Sequence, residues 1–216
     1  MKIMETSTKT IEKNVFEVKE GRTIISVPHL EDKVSFVYPT FKGNYESVGK
    51  QIEDNGLVKP TPEQTASLIY YAYGNQGNKY AQEIKNMVKS YLFWMFNKIK
   101  YIPNEGAYIQ KPNQEEVFVP FGYKIGEQSS LELSKNKFVI GLFGEKGADK
   151  IAKVADTYSD KPFLWSFRKV KKEITKVSAL DCGWGFGVRL GVVGGYVWDG
   201  DGNGHAFGVD ALGKSK

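Results

Sequence analysis

Ten of the chain's 23 glycines fall between Gly183 and Gly208, inside the stretch Asp181–Asp210, which reads DCGWGFGVRLGVVGGYVWDGDGNGHAFGVD. A backbone with so few side chains loses too much conformational entropy to hold a helix. Glycine there marks tight turns, bulges or points where another group comes close. From Glu173 onward the chain is therefore expected to form strands and turns, so its helices must come earlier and pack against this region. The expected fold class is α+β or α/β, with a mixed sheet that ends in a glycine-rich C-terminal β region.

Upstream, the patterning supplies both kinds of element. Val15 to Val18, Thr23 to Val27 and Val34 to Tyr38 are short β-branched and aromatic runs, read as strands. A short helix is expected from Asn44 to Asp54, stopped by Asn55-Gly56. Thr61-Pro62-Glu63-Gln64 has an N-cap, a proline at the first helical position and a glutamine three residues on, which is a capping box. A helical hairpin is expected over about 61–99, its second helix running from Lys79 to Ile99 with Ile84, Met87, Val88, Tyr91, Leu92, Met95 and Ile99 at helical spacing. Strands are read at Ala107–Gln110 and Val117–Phe121, with a short helix at Ser130–Ser134. Lys137–Phe143 reads as a buried strand, Ala148–Tyr158 as a helix and Phe163–Phe167 as a strand whose aromatic residues face inward. Together these three make one βαβ unit over about 137–167 with parallel strands.

At 216 residues, 41% hydrophobic and 13% aromatic, the chain can bury a sizeable core and is not a disordered type. No repeat, heptad or low-complexity tract divides it, so a single domain over 1–216 is expected, with residues 1–13 as a flexible lead-in. The longest apolar run, Tyr91 to Phe96, is far short of the roughly 20 residues a membrane helix needs, and no signal-like segment opens the sequence. One cysteine cannot form an internal disulfide. A cytoplasmic protein without a membrane partner is expected.

Three segments carry chemistry. Asp199-Gly-Asp201-Gly-Asn203-Gly-His-Ala-Phe-Gly-Val-Asp210 has oxygen-bearing residues at alternate positions about a glycine turn, and calcium favours six to eight hard oxygen ligands. Over these dozen residues the segment resembles the calcium loops of EF-hand and dockerin-like proteins, which implies calcium held by Asp199, Asp201, Asn203 and Asp210. It departs from them in having Asp210 where a longer Glu closes the loop, and in a strand-like flank, Gly191–Trp198, where a helix should enter. A polar hairpin loop is the alternative reading. Cys182 and His205 supply a thiol and an imidazole, with Asp181 as a residue to orient the base, as a cysteine-dependent hydrolase needs. The Asp181-Cys182 dipeptide is similar to the nucleophile motif of NlpC/P60-type cysteine peptidases, although Gly183-Trp-Gly-Phe-Gly cannot open the helix those enzymes use. A small buried cysteine is the other reading. Finally, Gly144, Lys146 and Gly147 precede a helix, where backbone N–H groups attract the anion of a cofactor or ligand.

Charge is uneven along the chain. Residues 121–180 carry twelve basic and seven acidic side chains, against nine of each in residues 1–60. Within the richer segment, residues 163–172 set Phe163, Trp165 and Phe167 directly before Arg168-Lys169-Val170-Lys171-Lys172. Cations beside rings are what a nucleic-acid-binding module presents to a single strand, and a solvated lysine-rich turn has the same composition. The sequence thus points to a ligand- or partner-binding protein, with a cysteine hydrolase and a nucleic-acid module as alternatives.

Overall fold

The computed structural model describes residues 17–19, 23–182, 188–197 and 202–211. Among them, eleven strands form one mixed sheet with five helices, so the α+β class and the glycine-rich C-terminal β region stand. The strands are β1 (Glu17–Lys19), β2 (Ile24–His29), β3 (Asp32–Gly43), β4 (Leu92–Ile102), β5 (Gly106–Gln110), β6 (Val117–Pro120), β7 (Gly126–Glu127), β8 (Phe163–Trp165), β9 (Ile174–Asp181), β10 (Gly191–Tyr196) and β11 (Gly204–Val209). The helices are α1 (Tyr45–Asp54), α2 (Pro62–Gly74), α3 (Lys79–Ser90), α4 (Ser130–Ser134) and α5 (Lys137–Ala155).

The local signals at helix starts are physically satisfied. Asn44 accepts the Ser47 amide at the start of α1, and both halves of the Thr61–Gln64 capping box are made at α2. Ser129 and Glu132 form a second capping box at α4. Each satisfies backbone donors that a helix start otherwise leaves without partners.

Two expectations are corrected. The second helix of the hairpin ends at Ser90, and residues 92–102 form β4 instead of continuing to Ile99. The first part of this run, Leu92 to Phe96, is apolar on every side, so it fits a helix or a strand buried on both faces equally well until tertiary context decides. The alternation of Lys98 and Lys100 with buried Ile99 and Tyr101 is the period-two signal that favours the strand. The βαβ unit over 137–167 does not form either. Lys137–Phe143 is helical, started by Asn136, whose side chain accepts the Phe138 amide, and it continues into α5. Its apolar face covers β6, and Gly141 lies where an added Cβ would meet Val119 and Ile109.

The strand order is β1-β2-β3-β11-β4-β9-β10-β8-β7, with β5 paired to the far half of β4 and β6 to β5. The last strand, β11, thus sits in the middle of the sheet. It is antiparallel to β3 and parallel to β4. Helices α2, α3 and α5 cover one side over a core that includes Phe93, Met95, Tyr101, Phe138, Leu180 and Phe207. Helix α1 lies on the other side over Trp94, Phe96, Val177 and Ala206. In β8 the buried residue is Leu164, and Trp165 faces outward at 38% exposure, the reverse of the expected inward aromatic face.

Glycine in β11 serves close packing. A Cβ on Gly204 would lie 1.9 Å from Nε1 of Trp94, a fully buried ring fixed by donating to the Gly43 carbonyl at 3.0 Å. Gly204→Ala is expected to cost about 1–3 kcal/mol in denaturant unfolding, the range for overpacking a rigid core. Gly202→Ala, two residues upstream, where an added Cβ meets nothing within 4 Å among the described residues, should stay within about 0.5 kcal/mol.

Candidate functional site

The helical run of α5 is broken at Gly144, whose φ of 65° and ψ of 169° lie in a region that only glycine enters at low cost. A second helical segment starts after it, and the first turn of such a segment directs backbone N–H groups with partial positive charge back past its start. Gly144, Lys146 and Gly147, read from the sequence as an anion-binding turn, therefore do lie at a helix start. The element before them is a helix, not a strand.

This start forms one wall of a cleft of about 370 Å³ whose lining includes His29, Glu63, Ser67, Glu145, Lys146 and Lys150. The end of β2 supplies His29, the first two turns of α2 supply Glu63 and Ser67, and the second half of α5 supplies Lys150. The Ser67 hydroxyl is the centre of the polar floor. It accepts from Lys150 Nζ at 2.9 Å, lies 3.0 Å from His29 Nδ1 and donates to the Glu63 carbonyl at 3.1 Å. With the one hydroxyl proton spent on that carbonyl, His29 donates from Nδ1 and keeps Nε2 as an acceptor. The Lys150 ammonium also lies 5.3 and 6.0 Å from the Tyr71 and Tyr70 ring centres, which fixes a cation at this depth.

Beneath the floor, Glu63 Oε1 accepts from Lys111 Nζ at 2.5 Å, and the Lys111 side chain is only 6% exposed. Glu63 Oε2 is buried without a hydrogen-bond partner among the described residues. A buried carboxylate needs a matched cation, so this ion pair neutralises the charge of Glu63, and Glu145 is the further carboxylate of the lining. Burial, and then the Lys150 charge, hold the His29 pKa below its ordinary value. Lys146 is exposed at the rim, 3.5 Å from Glu31.

No protein-family model, curated protein or solved structure matches this chain. The site therefore rests on its own geometry. His29, Glu63, Ser67, Lys111 and Lys150 carry no sequence motif, since residues so far apart in the chain are joined only by the fold. The one local signal was His29 following Pro28 at a strand end.

The other sequence candidates are not brought together. Cys182 and Asp181 are neighbours pointing to opposite sides of β9. Asp181 is buried and accepts from the Tyr196 hydroxyl at 2.8 Å. Cys182 is buried on the helical side, where its thiol donates to the Tyr158 hydroxyl at 3.3 Å, and Tyr158 in turn bonds Tyr73. Burial chiefly pushes the thiol up to about 11. His205 lies on β11, two strand steps and about 10 Å away across β4. Its Nδ1 bonds Thr40 Oγ1 at 3.1 Å, and its ring lies against Tyr91. No imidazole is within reach of the thiol.

Of the calcium-type residues, Asp199 and Asp201 lie outside the described residues. Asn203 and Asp210 lie at opposite ends of the six-residue strand β11, about 20 Å apart at strand rise, so these two do not converge on one ion. Among the described residues, no group of three or more His, Cys, Asp or Glu side chains is placed to hold a metal.

Two outcomes follow. A thiol reagent at neutral pH should label Cys182 slowly in the native protein and promptly in denaturant; fast native labelling would contradict the burial. The second concerns both histidines, whose pKa values are lowered from 6.5 in the folded state, mainly by burial. The unfolded chain then binds protons first as the pH falls. The stability from keeping the rings neutral is complete above 6.5 and lost as the pH drops through the folded values. Melting temperature should decline with acidification below 6.5, and His29→Gln with His205→Gln should flatten that slope.

Proposed function

We propose that the protein binds a small molecule through an anionic group, phosphate or carboxylate, in the cleft between the end of β2, α2 and the second half of α5. The observation that carries this reading is the meeting of Lys150 Nζ and His29 Nδ1 on the Ser67 hydroxyl, facing the helix start after Gly144. Each component suits an anion. Lys150 supplies a fixed cation, His29 gains a charge if an anion raises its pKa, and a helix start contributes N–H donors and a favourable dipole. The Glu63–Lys111 pair keeps the Glu63 carboxylate from opposing them.

The cleft volume admits a metabolite-sized ligand and not a folded partner. Lys146 at the rim, 3.5 Å from Glu31, adds a second, exposed cation. The reading is of a binding protein. Ser67 is buried and its proton is given to a backbone carbonyl, which supports a positioning role for its hydroxyl rather than that of a nucleophile.

Titration with inorganic phosphate against chloride at matched ionic strength tests this reading through the melting temperature. Phosphate at a hundredfold excess over its Kd should stabilise the protein by about 2.7 kcal/mol. Lys150→Gln keeps a donor for Ser67 but removes the charge, and should abolish most of that shift. A shift no larger than chloride produces, or one that survives Lys150→Gln, would overturn the reading.

A further inference from the structure

The far side of the sheet presents a second surface that the cleft does not use. Among the described residues α1 is the helix on that side, and its sheet contacts are with β3, β11 and β4. Beyond it, among the described residues, the side chains of β5, β6, the far half of β4 and the start of β9 on that side are exposed or half-buried, whereas Val177 and Val193 further along are buried. Ile99 and Tyr101 enter the helical-side core, so their neighbours Lys98 and Lys100 project onto that side. The register then sets Phe118, Tyr108, Lys100 and Thr175 in one row across β6, β5, β4 and β9, since each is the direct partner of the next. The adjacent row reads Gln110, Lys98, Val177 and Tyr196.

The rings on this face are exposed as rings rarely are on a sheet with no partner. Phe118 is 49% exposed and lies 4.8 Å from Tyr108, whose other neighbour is Lys100 Nζ at 5.7 Å from the ring centre. The Tyr108 hydroxyl donates to Glu105 at 2.7 Å, which fixes the ring's orientation. At the far end Trp165 lies over Gly195, on the side opposite to buried Leu164, and remains 38% exposed. From β6 to β8 the face crosses five strand steps, about 24 Å.

Cations accompany the rings along this length. A cleft of about 410 Å³ at the α1 border is lined by Tyr45, Lys50, Lys59, Lys98 and Thr175, together with Glu46 and Glu53. Of these acids, Glu53 is engaged by Lys59 at 2.7 Å. Past Trp165, the loop before β9 exposes Arg168, Lys169, Lys171 and Lys172, and among the described residues none of the four is held in an ion pair. Phe167 and Val170 pack on the helical-side core and anchor the loop at the β8 end of the sheet. Unneutralised cations spaced along a row of exposed ring faces match a polymer of alternating phosphates and flat bases. A lipid surface would instead call for a protruding apolar loop, and an acidic peptide has no use for the ring faces.

We propose that this sheet face binds single-stranded nucleic acid, with bases stacking on Phe118, Tyr108 and Trp165 and phosphates meeting Lys98 and Lys100, the bound strand leading on past β8 toward the cations of the 168–172 loop. The inference is independent of the anion cleft. Fluorescence anisotropy of the full chain with labelled oligo-dT and oligo-U tests it, with duplex DNA and phosphatidylserine vesicles as competitors. The expected result is single-strand binding that weakens steeply with salt and resists competition by either. Tyr108→Ala with Phe118→Ala should weaken it about five- to a hundredfold, and Lys98→Gln with Lys100→Gln should lower the salt slope. These side chains are at the surface, and matching melting temperatures confirm that the variants fold. Three results would overturn the proposal: no single-strand binding at low salt, equal affinity for duplex with no loss in the ring variant, or ring-dependent binding to vesicles alone.

Discussion

The structure depends on the last strand entering its centre. β11 pairs with β3 on one side and β4 on the other, and all six of its residues are buried. Without it, the hairpin of β2 and β3 would have no hydrogen-bonded connection to the rest of the sheet. A strand inserted this way must tolerate large neighbours on both faces. Gly204 accommodates the Trp94 indole, Gly208 accommodates Leu57, and Phe207 between them fills the helical-side core against Phe36 and Phe93. Gly204 and Gly208 are therefore a packing requirement of the middle of the sheet.

That insertion divides the molecule into two unlike sides. On one, α2, α3 and α5 close over a continuous aromatic and aliphatic core, and the cleft forms only where α5 breaks at Gly144 against the start of α2. On the other, α1 covers the sheet near β11, and among the described residues Phe118, Lys98 and Trp165 of the outer strands are exposed. The Glu63–Lys111 pair lies between these regions, since Lys111 follows β5 directly and Glu63 opens α2. A buried ion pair adds little net stability against an apolar replacement, so its value here lies in fixing the charge state of the cleft floor.

What the sequence made legible was local. The helix starts at Asn44 and Thr61, the short helix at Ser130–Ser134 and the strands of the first hairpin could be read because their causes lie within a few residues. The runs 92–102 and 137–143 were misread because their stretches 92–96 and 138–143 lack polar side chains, so periodicity there carried no information, and the only period-two cue lay at Lys98 to Tyr101. Their identities follow from contacts made elsewhere in the chain, β4 from its pairing with β9 and β11, and the start of α5 from its seat on β6. The site divides in the same way. The helix start at Gly144 to Gly147 was visible as a glycine pattern, whereas His29, Ser67 and Lys150 are joined only by tertiary structure. The cluster that looked richest, Asp181 to Asp210, is dispersed by the strands that carry it. Cys182 and His205 sit on different strands, and Asn203 and Asp210 at opposite ends of one.

The central claim is that an anion enters at the break in α5, and the most direct measurement is an amide-resolved NMR titration with inorganic phosphate. Saturable shifts of the Glu145, Lys146 and Gly147 amides, together with the His29 ring, are the predicted result. Shifts confined to exposed lysine-rich segments such as 168–172, with the 145–147 amides unmoved, would contradict it.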